Sequence, residues 1–372
     1  MVVPVMAETT SAIAASVQAK KFGIKTGTGV AEARRIYPKI KIVLARPEEY
    51  TKMHHKVVEA VESCLPVDSI LSIDEMACRL TGRQTKLENA LEIARNIKKA
   101  ILKNAGECMT CSIGLAPNAF LAKVATDLQK PDGLVTIPKS KISEILSPLP
   151  VRTLPGVGPR MEERLHRVGA RTIGDLLKKD REQLREIWGS VVGVRFYEWL
   201  RGGEPRVPRH QNRSMGHEHV LEPRLRTREG GLTVLKKLIT KASIRLRKEG
   251  YFAKQMGIFV RYVNREGHWE NSAKFDETQD TWVFLKALDE LWKEYPKVPP
   301  MKVGVVFYDL VKEDQHQMSL FRDPKRAELS QKMDEINKRY GKETVTFASL
   351  HEYRDSAPTR ISFNRIPKLD EF

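Results

Sequence analysis

The spacing of apolar residues changes twice along the chain, and these changes constrain the fold more than any other feature. Between residues 66 and 150, short apolar runs alternate with amphipathic helix patterns in the order ββαβαβ, which predicts an α+β sheet with helices on one face. Residues 151–203 contain only helix patterns joined by glycine turns. After a linker at 204–213, a second α+β pattern begins. The chain is therefore predicted to contain several small domains.

Periodicity also predicts the individual elements. Helical spacing of apolar residues indicates a helix, and short apolar runs bounded by turn residues indicate strands. The predicted helices span 47–63, 86–103, 118–128, 229–249 and 279–294, and the predicted strands span 67–73, 76–80, 108–114, 134–137, 255–263 and 301–310. The segment after Lys312 is predicted to be a polar tail with short apolar islands.

The charge of the chain points to a polyanionic partner, nucleic acid before a membrane surface. Its 372 residues include 64 Lys and Arg against 47 Asp and Glu, a net charge of +17. Residues 201–268 alone contain 16 Lys and Arg against 6 Asp and Glu, a cluster suited to neutralising phosphates in series. A solvated basic surface is the alternative for any single cation. No apolar run approaches the length of a membrane span, and four cysteines in a chain of this length fit a reducing cytosol.

Adjacent carboxylates separate two of the predicted strands. The segment Ser72-Ile73-Asp74-Glu75 lies where the apolar runs 67–73 and 76–80 meet, so a tight strand–turn–strand is expected. Two carboxylates at a strand end can hold Mg²⁺ against a phosphate. An acidic turn without function is the alternative for the dipeptide alone. The apolar strand on each side and the basic half of the chain favour the metal site.

A helix–hairpin–helix pattern covers Leu154–Arg160. Glycine allows the tight turn in which N–H groups at a helix N-terminus meet a phosphate oxygen. Such a hairpin binds the nucleic-acid backbone without reading its sequence. An ordinary glycine-rich helix connection is the alternative, and the arginines nearby favour DNA contact. A second, looser copy is predicted to begin at Ile187. The residues predicted to contact DNA here are Gly156, Val157, Gly158 and Arg160.

Two shorter motifs each leave two interpretations open. Residues 317–321 can dock Leu and Phe side chains into an apolar groove of a partner, or can be an apolar island without function. Cys108 and Cys111 form a CxxC pair, which can bind zinc or do redox work. Because the pair lies in the predicted strand 108–114 and no second pair follows at zinc spacing, a core strand is the favoured interpretation.

Together these motifs resemble the Y-family translesion DNA polymerases of the DNA polymerase IV type, over nearly all of the chain. The resemblance rests on motifs of the fingers, palm, thumb, little finger and clamp-binding peptide. Residues 13–16 and 19–24 are similar to the fingers motif, 72–75 to the palm metal motif, 113–118 with 122–123, 127 and 130–133 to a second palm motif, 154–160 to the thumb, 213–218 to the start of the little finger and 317–321 to the clamp-binding peptide.

The resemblance implies an α+β multidomain fold, the right-hand polymerase, with a ferredoxin-like palm, small fingers, a helical helix–hairpin–helix thumb and an α+β little finger. A small fingers domain and a basic little finger would leave an open site that accepts damaged templates. The implied boundaries are fingers with a remnant of the palm N-terminus at 1–65, palm 66–150, thumb 151–203, linker 204–213, little finger 214–312 and tail 313–372.

The implied activity is template-directed nucleotidyl transfer by a DNA-directed DNA polymerase with two Mg²⁺ ions. Asp74 and Glu75 would be the catalytic residues and the metal ligands. The partners would be primer–template DNA, a dNTP and a sliding clamp, and the protein would be a cytoplasmic monomer. The resemblance implies that the nucleotide is bound by Ser16, Lys20 and Lys130. Together with the basic cluster, it adds four residues to the DNA contacts: Arg213, Arg245, Arg247 and Lys254. The residues implied to bind the clamp are Gln317, Ser319, Leu320 and Phe321.

By the same resemblance, residues 2–5 correspond to the strand just before the fingers motif. The family's first metal-binding Asp and its ribonucleotide-excluding aromatic residue are therefore expected upstream of Met1 in the natural chain. If no such segment exists, the alternative is a catalytically impaired scaffold that binds DNA and the clamp in the damage response. A two-metal nuclease that uses Asp74 and Glu75 is a weaker alternative, because the thumb and little-finger layout argues against it.

Overall fold

The computed structural model describes residues 1–4, 11–206, 214–264, 267–316, 324–348, 350, 357, 361 and 366–369. The chain forms two compact units. The first unit comprises Met1–Ala45 and Arg209–Thr359, and the second comprises Arg46–Pro208 and Arg360–Phe372. Within the described ranges, every helix is too short or too polar to cross a membrane.

Helices and strands are distributed over both units. The strands are β1 (Val2–Pro4), β2 (Ala12–Ala15), β3 (Val67–Ile70), β4 (Met76–Cys78), β5 (Ile113–Leu115), β6 (Leu134–Thr136), β7 (Ser214–Val220), β8 (Tyr251–Tyr262), β9 (His268–Thr278) and β10 (Pro300–Lys312). The α-helices are α1 (Val17–Lys21), α2 (Val30–Ile36), α3 (Pro47–Glu62), α4 (Leu87–Ala105), α5 (Ala119–Leu128), α6 (Ile142–Leu146), α7 (Pro159–Arg167), α8 (Ile173–Leu177), α9 (Arg181–Trp188), α10 (Val191–Trp199), α11 (Arg228–Lys248), α12 (Thr281–Lys293) and α13 (Pro324–Tyr340).

The N-terminal part of the first unit packs around a small apolar cluster. Strand β1 pairs antiparallel with β2, and Val2 also bridges Ile42 in parallel. Helix α1 begins at Ser16, whose hydroxyl accepts a hydrogen bond from Ala19 N at 3.2 Å. The buried members of the cluster are Val2, Ala12, Ala19, Ile24 and Ala33.

The second unit contains the predicted ββαβαβ region, with its elements in the expected order. Strand β3 pairs antiparallel with β4, and β5 pairs in parallel with β6, so the described strands form two ladders rather than the single predicted sheet. Strands of three or four residues leave few backbone groups for a second neighbour. Helices α3 and α4 pack around Ala60, Val61, Ile97 and Ile101 beside the first ladder.

The predicted strand 108–114 is observed only from Ile113 onward, as β5. Gly106 ends α4 with a φ of 128°, and the exposed Cys108 lies in the turn that follows. The core prediction is therefore wrong for Cys108. Cys111 is a free, half-buried thiol, and burial raises its pKa. A raised pKa disfavours the thiolate that zinc or redox chemistry needs, which agrees with a packing role.

Helix α5 lies very close to strand β5. A Cβ atom at Gly114 would lie 2.0 Å from the carbonyl oxygen of Ala122, so this approach requires glycine. Asn118 begins the helix by accepting a hydrogen bond from Leu121 N at 2.8 Å. Its side-chain amide also donates to the Gly203 carbonyl at 2.7 Å. These contacts fix the position of α5 and of the charged side chains that it carries.

Helices α7–α10 confirm the predicted all-helical region. Helix α9 ends at Gly189, which has a φ of 66°, and Ser190 caps the start of α10. A Cβ atom at Gly193 would lie 2.0 Å from the Leu184 carbonyl oxygen, so the two helices cross in close contact. The cluster that they share with the buried face of α5 includes Leu121, Val124, Leu165, Ile173, Leu176, Leu184 and Leu200.

A four-stranded antiparallel sheet in the order β7-β10-β8-β9 dominates the first unit. Helices α11 and α12 cover one face, and both were predicted, as were β8 and β10. Strands β7 and β9 were not predicted. They form the two edges of the sheet, and their polar residues leave no apolar run to detect. The core between sheet and helices includes Ile258, Val260, Phe284, Val303 and Phe307.

The tail contains helix α13, and its described part packs against the same unit. Ser330 is buried, and its hydroxyl lies 3.4 Å from Asp280 Oδ1 at the start of α12. Phe347 stacks on Trp282 with ring centroids 6.3 Å apart. Leu350 is also buried. The tail therefore has its own helix and its own contacts, which the prediction of apolar islands did not include.

Three cations of α11 bind acceptors in the tail. Arg247 forms a two-point ion pair with Asp334, at 2.6 Å from Nε and 3.0 Å from Nη2. Lys237 Nζ lies 3.4 Å from Glu343 Oε1. Lys241 Nζ donates to a carbonyl oxygen, that of Ala357, at 2.5 Å. These contacts join α11 to the tail along the length of the helix.

Candidate active site and nucleic-acid interface

Asp74 and Glu75 lie in the tight turn between β3 and β4, as predicted. Two backbone N–H groups close the turn on the Glu75 carbonyl oxygen, from Leu71 at 2.8 Å and from Ser72 at 3.1 Å. The Ser72 hydroxyl donates to Asp74 Oδ1 at 2.6 Å. Both carboxylates are consequently held at one end of the hairpin, with Asp74 exposed and Glu75 half-buried.

A buried histidine of α3 contacts the same turn. His54 is 4 % exposed, and its Nδ1 lies 2.7 Å from the carbonyl oxygen of Ile73. A carbonyl oxygen only accepts, so Nδ1 carries the proton in this contact. His54 therefore fixes the residue that precedes the two carboxylates. The sequence pattern could not reveal this role, because the contact joins residues 19 positions apart on different elements.

Replacement of His54 by Leu is expected to lower the free energy of unfolding by about 1–3 kcal/mol, since the partly buried Ile73 carbonyl loses its donor. It is also expected to slow the primer extension that the resemblance implies, by up to about 100-fold, because a misplaced turn misaligns the carboxylates. His54→Gln keeps an N–H donor and should recover part of both losses. The neighbouring His55 is exposed, so His55→Leu is the matched control. Equal effects of the two Leu variants in denaturation and single-turnover assays would contradict the positioning role.

Glu75 is paired with a lysine of helix α5. Lys123 Nζ contacts Glu75 Oε1 and lies 4.0 Å from Asp127 Oδ2, one turn further along the helix. Lys130 Nζ in turn lies 2.6 Å from Asp127 Oδ1. These four side chains alternate in sign, and we call them the charge row. The row joins the predicted catalytic Glu75 to the predicted nucleotide contact Lys130. Sequence analysis did not single out Lys123 for a role of its own.

The loop after α5 is held by a lysine of α4. Lys98 Nζ donates to the carbonyl oxygen of Asp132 at 3.0 Å and to its Oδ1 at 2.5 Å. Asp132 has a left-handed φ of 57°, and a Cβ atom at Gly133 would lie 1.9 Å from the Gln129 carbonyl oxygen. The backbone of this loop is therefore tightly constrained, which sets the position of Lys130 at the end of the charge row.

The donor set at the turn suits a hard divalent cation. Mg²⁺ is commonly bound through one or two carboxylates, with waters and substrate phosphates as its other ligands. Glu75 Oε1 already contacts a cation, the ammonium of Lys123. In the part of the chain that the structure describes, no three His, Cys, Asp or Glu side chains are grouped as metal ligands. The two carboxylates are ligands of the type that a hard divalent cation takes, and their use as a metal site stays a prediction.

Two predicted nucleotide contacts belong to the other unit. The Ser16 hydroxyl is used as the N-cap of α1, and Lys20 is exposed on the same helix. Ser16 thus has a structural role in the described chain. Contact of Ser16 and Lys20 with a nucleotide stays a prediction.

The first helix hairpin has the predicted geometry. Gly156 has a φ of 84°, and Gly158 is the N-cap of α7 with no side-chain cap. The first N–H groups of an α-helix have no partner within the helix, and together with the helix dipole they attract anions. Arg160 is exposed in the same first turn. Unlike Arg160, Val157 has a buried side chain, and its N–H already donates to the Leu154 carbonyl at 3.1 Å.

The second hairpin is confirmed as a helix–turn–helix at Gly189. Helix α10 begins at Ser190, whose hydroxyl accepts from Val192 N at 3.3 Å. Val191 is 56 % exposed at this start. Residues 151–203 therefore contain two helix N-termini that each follow a glycine of positive φ, and a side chain caps only the second.

The structure corrects one predicted DNA contact in the first unit. The Arg247 side chain is 7 % exposed, and its guanidinium binds Asp334, the Gln279 carbonyl and the Thr281 hydroxyl. A group with these partners is not available to a phosphate, so the prediction for Arg247 is wrong. The sequence shows that Arg247 carries a positive charge, but it does not show which residues surround the side chain. Lys254 is half exposed and lies 3.1 Å from Glu277 Oε1.

Arg245 and the remaining predicted contacts stay predictions. Arg245 is paired with Glu249 one turn along α11, at 2.7 Å. Arg213 lies outside the described residues, as does the whole predicted clamp peptide Gln317–Phe321.

The sheet face away from α11 and α12 is flat and carries cations. A Cβ atom at Gly304 would lie 2.3 Å from the Phe259 ring, and one at Gly257 would lie 2.9 Å from the Tyr308 ring. The two rings therefore lie across glycines of neighbouring strands, and Tyr308 is 40 % exposed. Exposed or half-buried cations on this face are Arg261, Lys274 and Lys302. Lys302 is paired with Glu218 of β7 at 2.6 Å.

Three family profiles match the chain in sequence order. The impB/mucB/samB family matches residues 1–127, and the C-terminal domain of the same family matches residues 212–320. Between them, the thumb domain of DNA polymerase iota matches residues 152–203. The three matches cover the region of the carboxylate turn, the two helix hairpins and the four-stranded sheet.

Curated relatives and solved structures agree with these profiles. DNA polymerase IV of Moorella thermoacetica is 32 % identical over 343 residues, which is 90 % of this chain and 84 % of that protein. DNA polymerase IV 1 of Bacillus subtilis is 28 % identical over 95 % of this chain and 87 % of that protein. A chimera of the Y-family polymerases Dbh and Dpo4 has a TM-score of 0.69 at 25 % identity, covering 84 % of this chain and 92 % of that one. The chain therefore has the right-hand polymerase fold and belongs to the impB/mucB/samB family, the Y-family DNA polymerases of the DNA polymerase IV type.

Proposed function

We propose that this protein extends a DNA primer along its template, past damaged bases, by nucleotidyl transfer from a dNTP. The observation that carries the proposal is the pair Asp74 and Glu75 on a hydrogen-bonded turn, with Lys123 in contact with Glu75 and Lys130 linked to it through Asp127. A carboxylate pair suits Mg²⁺, and a cation such as Lys130 suits a triphosphate. The structure of an insertion ternary complex of Dbh DNA polymerase resembles this chain, with a TM-score of 0.54 and 26 % identity.

The residues have separate roles in this proposal. Asp74 and Glu75 would hold the Mg²⁺ ions, of which two are proposed, and these would offset the negative charge on the primer end and the phosphates. Ser72 and His54 keep the turn in place, through the Asp74 carboxylate and the Ile73 carbonyl. Lys130 is proposed to bind the triphosphate, and Ser16 and Lys20 of the other unit are proposed separately as nucleotide contacts. The protein binds backbone, while pairing with the template base selects the nucleotide.

Primer extension tests the proposal directly. The purified natural chain, with any segment that precedes Met1, should elongate a primer with the four dNTPs and Mg²⁺, on an undamaged template and on one with an abasic site. Loss of extension with EDTA is expected. DNA and clamp binding without any extension would instead support the scaffold alternative, and primer shortening without dNTPs would support a nuclease. No structural observation favours either alternative over the polymerase.

The thumb is expected to bind the DNA backbone without sequence preference. Arg160→Ala should weaken DNA binding by roughly 3–10-fold on all sequences and lower the salt slope of log K by about one, because one phosphate contact is lost. Arg167 lies on the same helix and pairs with Glu163 at 2.6 Å, so Arg167→Ala is the control. Fluorescence anisotropy over a range of salt concentrations measures both variants. An equal loss for both, or a loss on some sequences only, would contradict the contact.

The flat sheet face of the first unit is proposed as a second DNA surface. Arg261 and Lys274 are exposed and can meet phosphates there, whereas Lys302 would first have to leave Glu218. We propose these cations as DNA contacts in place of Arg247. Arg245 and Lys254 remain proposed contacts.

A sliding clamp is the proposed protein partner, bound through Gln317, Ser319, Leu320 and Phe321. The double variant Leu320→Ala and Phe321→Ala removes both apolar anchors, so it should lose clamp binding in a pull-down and keep its affinity for DNA. Leu329 is 60 % exposed on α13, and Leu329→Ala is the control for removal of an exposed leucine. Retention of the clamp by the double variant would exclude this peptide as the anchor. A cytoplasmic monomer is the proposed state of the protein.

A further inference from the structure

The charge row has a feature that a simple metal site does not need. Lys123 stands between two carboxylates, in contact with Glu75 and 4.0 Å from Asp127. Lys130 shares Asp127 with it, at 2.6 Å from the other oxygen. The proposed metal ligand and the proposed triphosphate contact are therefore linked by three ion pairs, in which Glu75 and Asp127 share Lys123, and Lys123 and Lys130 share Asp127.

We propose that Lys123 is a positioning residue that couples cation binding at Glu75 to nucleotide binding at Lys130. Without a divalent cation, Lys123 neutralises Glu75, and Asp127 retains Lys130. When a cation binds Glu75, Lys123 moves to Asp127, and Lys130 becomes available to the triphosphate. This inference rests on the proposed function and adds an order of events to it.

Electrostatics gives the direction of each step. An ammonium beside Glu75 repels any cation that approaches the same oxygen, so Lys123 weakens the first cation binding. The Lys123 ammonium is a compact charge on a flexible side chain, and Asp127 lies one helical turn away. A change of the Lys123 rotamer can therefore close the 4.0 Å between Lys123 Nζ and Asp127 Oδ2. Asp127 then has a new partner. Lys130 is 53 % exposed and can leave Asp127 for a group with more negative charge.

The size of the effect follows from exposure. The four side chains are 26–53 % exposed, so water screens each pair. Changes of roughly 3–10-fold in affinity are therefore expected rather than loss of binding. The helix that carries Lys123 and Asp127 is packed on β5 through Gly114, so the side chains move and the helix stays in place.

The first test is Mn²⁺ binding to the full chain, without DNA or nucleotide, followed by electron paramagnetic resonance. Lys123→Met should bind Mn²⁺ roughly 3–10-fold more tightly than the unmodified chain. Lys99 lies on α4 and is exposed, so Lys99→Met controls for the loss of one positive charge. Equal affinities of the two Met variants would overturn the inference. Glu75→Gln should weaken Mn²⁺ binding, and if it does not, the proposed metal site itself fails.

The second test is dNTP binding with Mn²⁺ and without primer, measured by anisotropy of a fluorescent dNTP. Lys123→Met should weaken dNTP binding roughly 3–10-fold, because Asp127 then retains Lys130. Adding Asp127→Asn should restore the affinity, whereas Asp127→Asn alone should change it little. A direct contact of Lys123 with the triphosphate would instead give a loss that Asp127→Asn does not restore, and this result would overturn the coupling.

Discussion

Replacement of Glu75 by Ala is expected to slow primer extension by about 100-fold or more, and replacement of Asp74 by Ala is expected to do the same. Charge stabilisation by a bound divalent cation is worth several kcal/mol at the transition state, and every 1.36 kcal/mol is about tenfold in rate. Both side chains lie in an exposed or half-buried turn, so the variants should fold normally. Single-turnover extension with saturating DNA and dNTP measures the effect on the chemical step.

Asp68 gives a matched control for these two variants. It lies on strand β3 of the same hairpin, is 50 % exposed and is 3.8 Å from Arg79 Nε. Asp68→Ala removes the same charge a few residues away and should leave the extension rate within about twofold, because surface pairs contribute about 0–1 kcal/mol. If Asp74→Ala and Glu75→Ala extend primers as fast as Asp68→Ala, the carboxylate turn is not the catalytic site.

Arg247→Met is expected to lower the free energy of unfolding by about 3–5 kcal/mol, since breaking a buried ion pair leaves Asp334 without its partner. Four hydrogen bonds from one guanidinium join α11 to α13 and to the start of α12, so the loss should be concentrated there. Hydrogen–deuterium exchange of the α13 peptides is the measurement. We expect the amides of α13 to exchange faster in the variant, while the amides of α5, which belongs to the other unit, exchange at an unchanged rate.

Arg245 provides the control for this second variant. It lies two positions earlier on α11 and pairs with Glu249 at 2.7 Å within the helix. Arg245→Met removes the same type of side chain and should cost about 0.5 kcal/mol or less, because a pair within one helix contributes little. Equal exchange in the two variants would mean that α13 is held by its apolar contacts and not by Arg247.

The structure supports the sequence predictions best where a local rule applies. The turn at Asp74 and Glu75 follows from two apolar runs and the polar residues between them. Gly156 and Gly158 follow from the turn chemistry of a helix hairpin, and Gly189 follows from the same rule. These features depend on residues close in sequence, so one stretch of chain contains all the information.

The features that sequence analysis missed depend on distant partners. His54 meets Ile73, and Lys98 meets Asp132, only after the chain has folded. A count of cations could not separate Arg247, which is buried, from Arg160, which is exposed. Strand β9 is polar because it forms a sheet edge, so its pattern resembles a loop. Each of these features depends on packing against another element, and the spacing of apolar residues in one segment does not report that packing.

The contacts between α11 and the tail also decide which cations of this unit a phosphate can reach. Asp334 and Glu343 pair with Arg247 and Lys237, and Lys241 is directed to a carbonyl. Residues 313–372 contain 11 Lys and Arg against 11 Asp and Glu, so the tail adds no net charge. Since association rates of oppositely charged molecules follow the long-range field, removal of the tail should leave the rate of encounter with DNA unchanged. It would instead take these acceptors away from α11, and the local surface would then capture polyanions more indiscriminately.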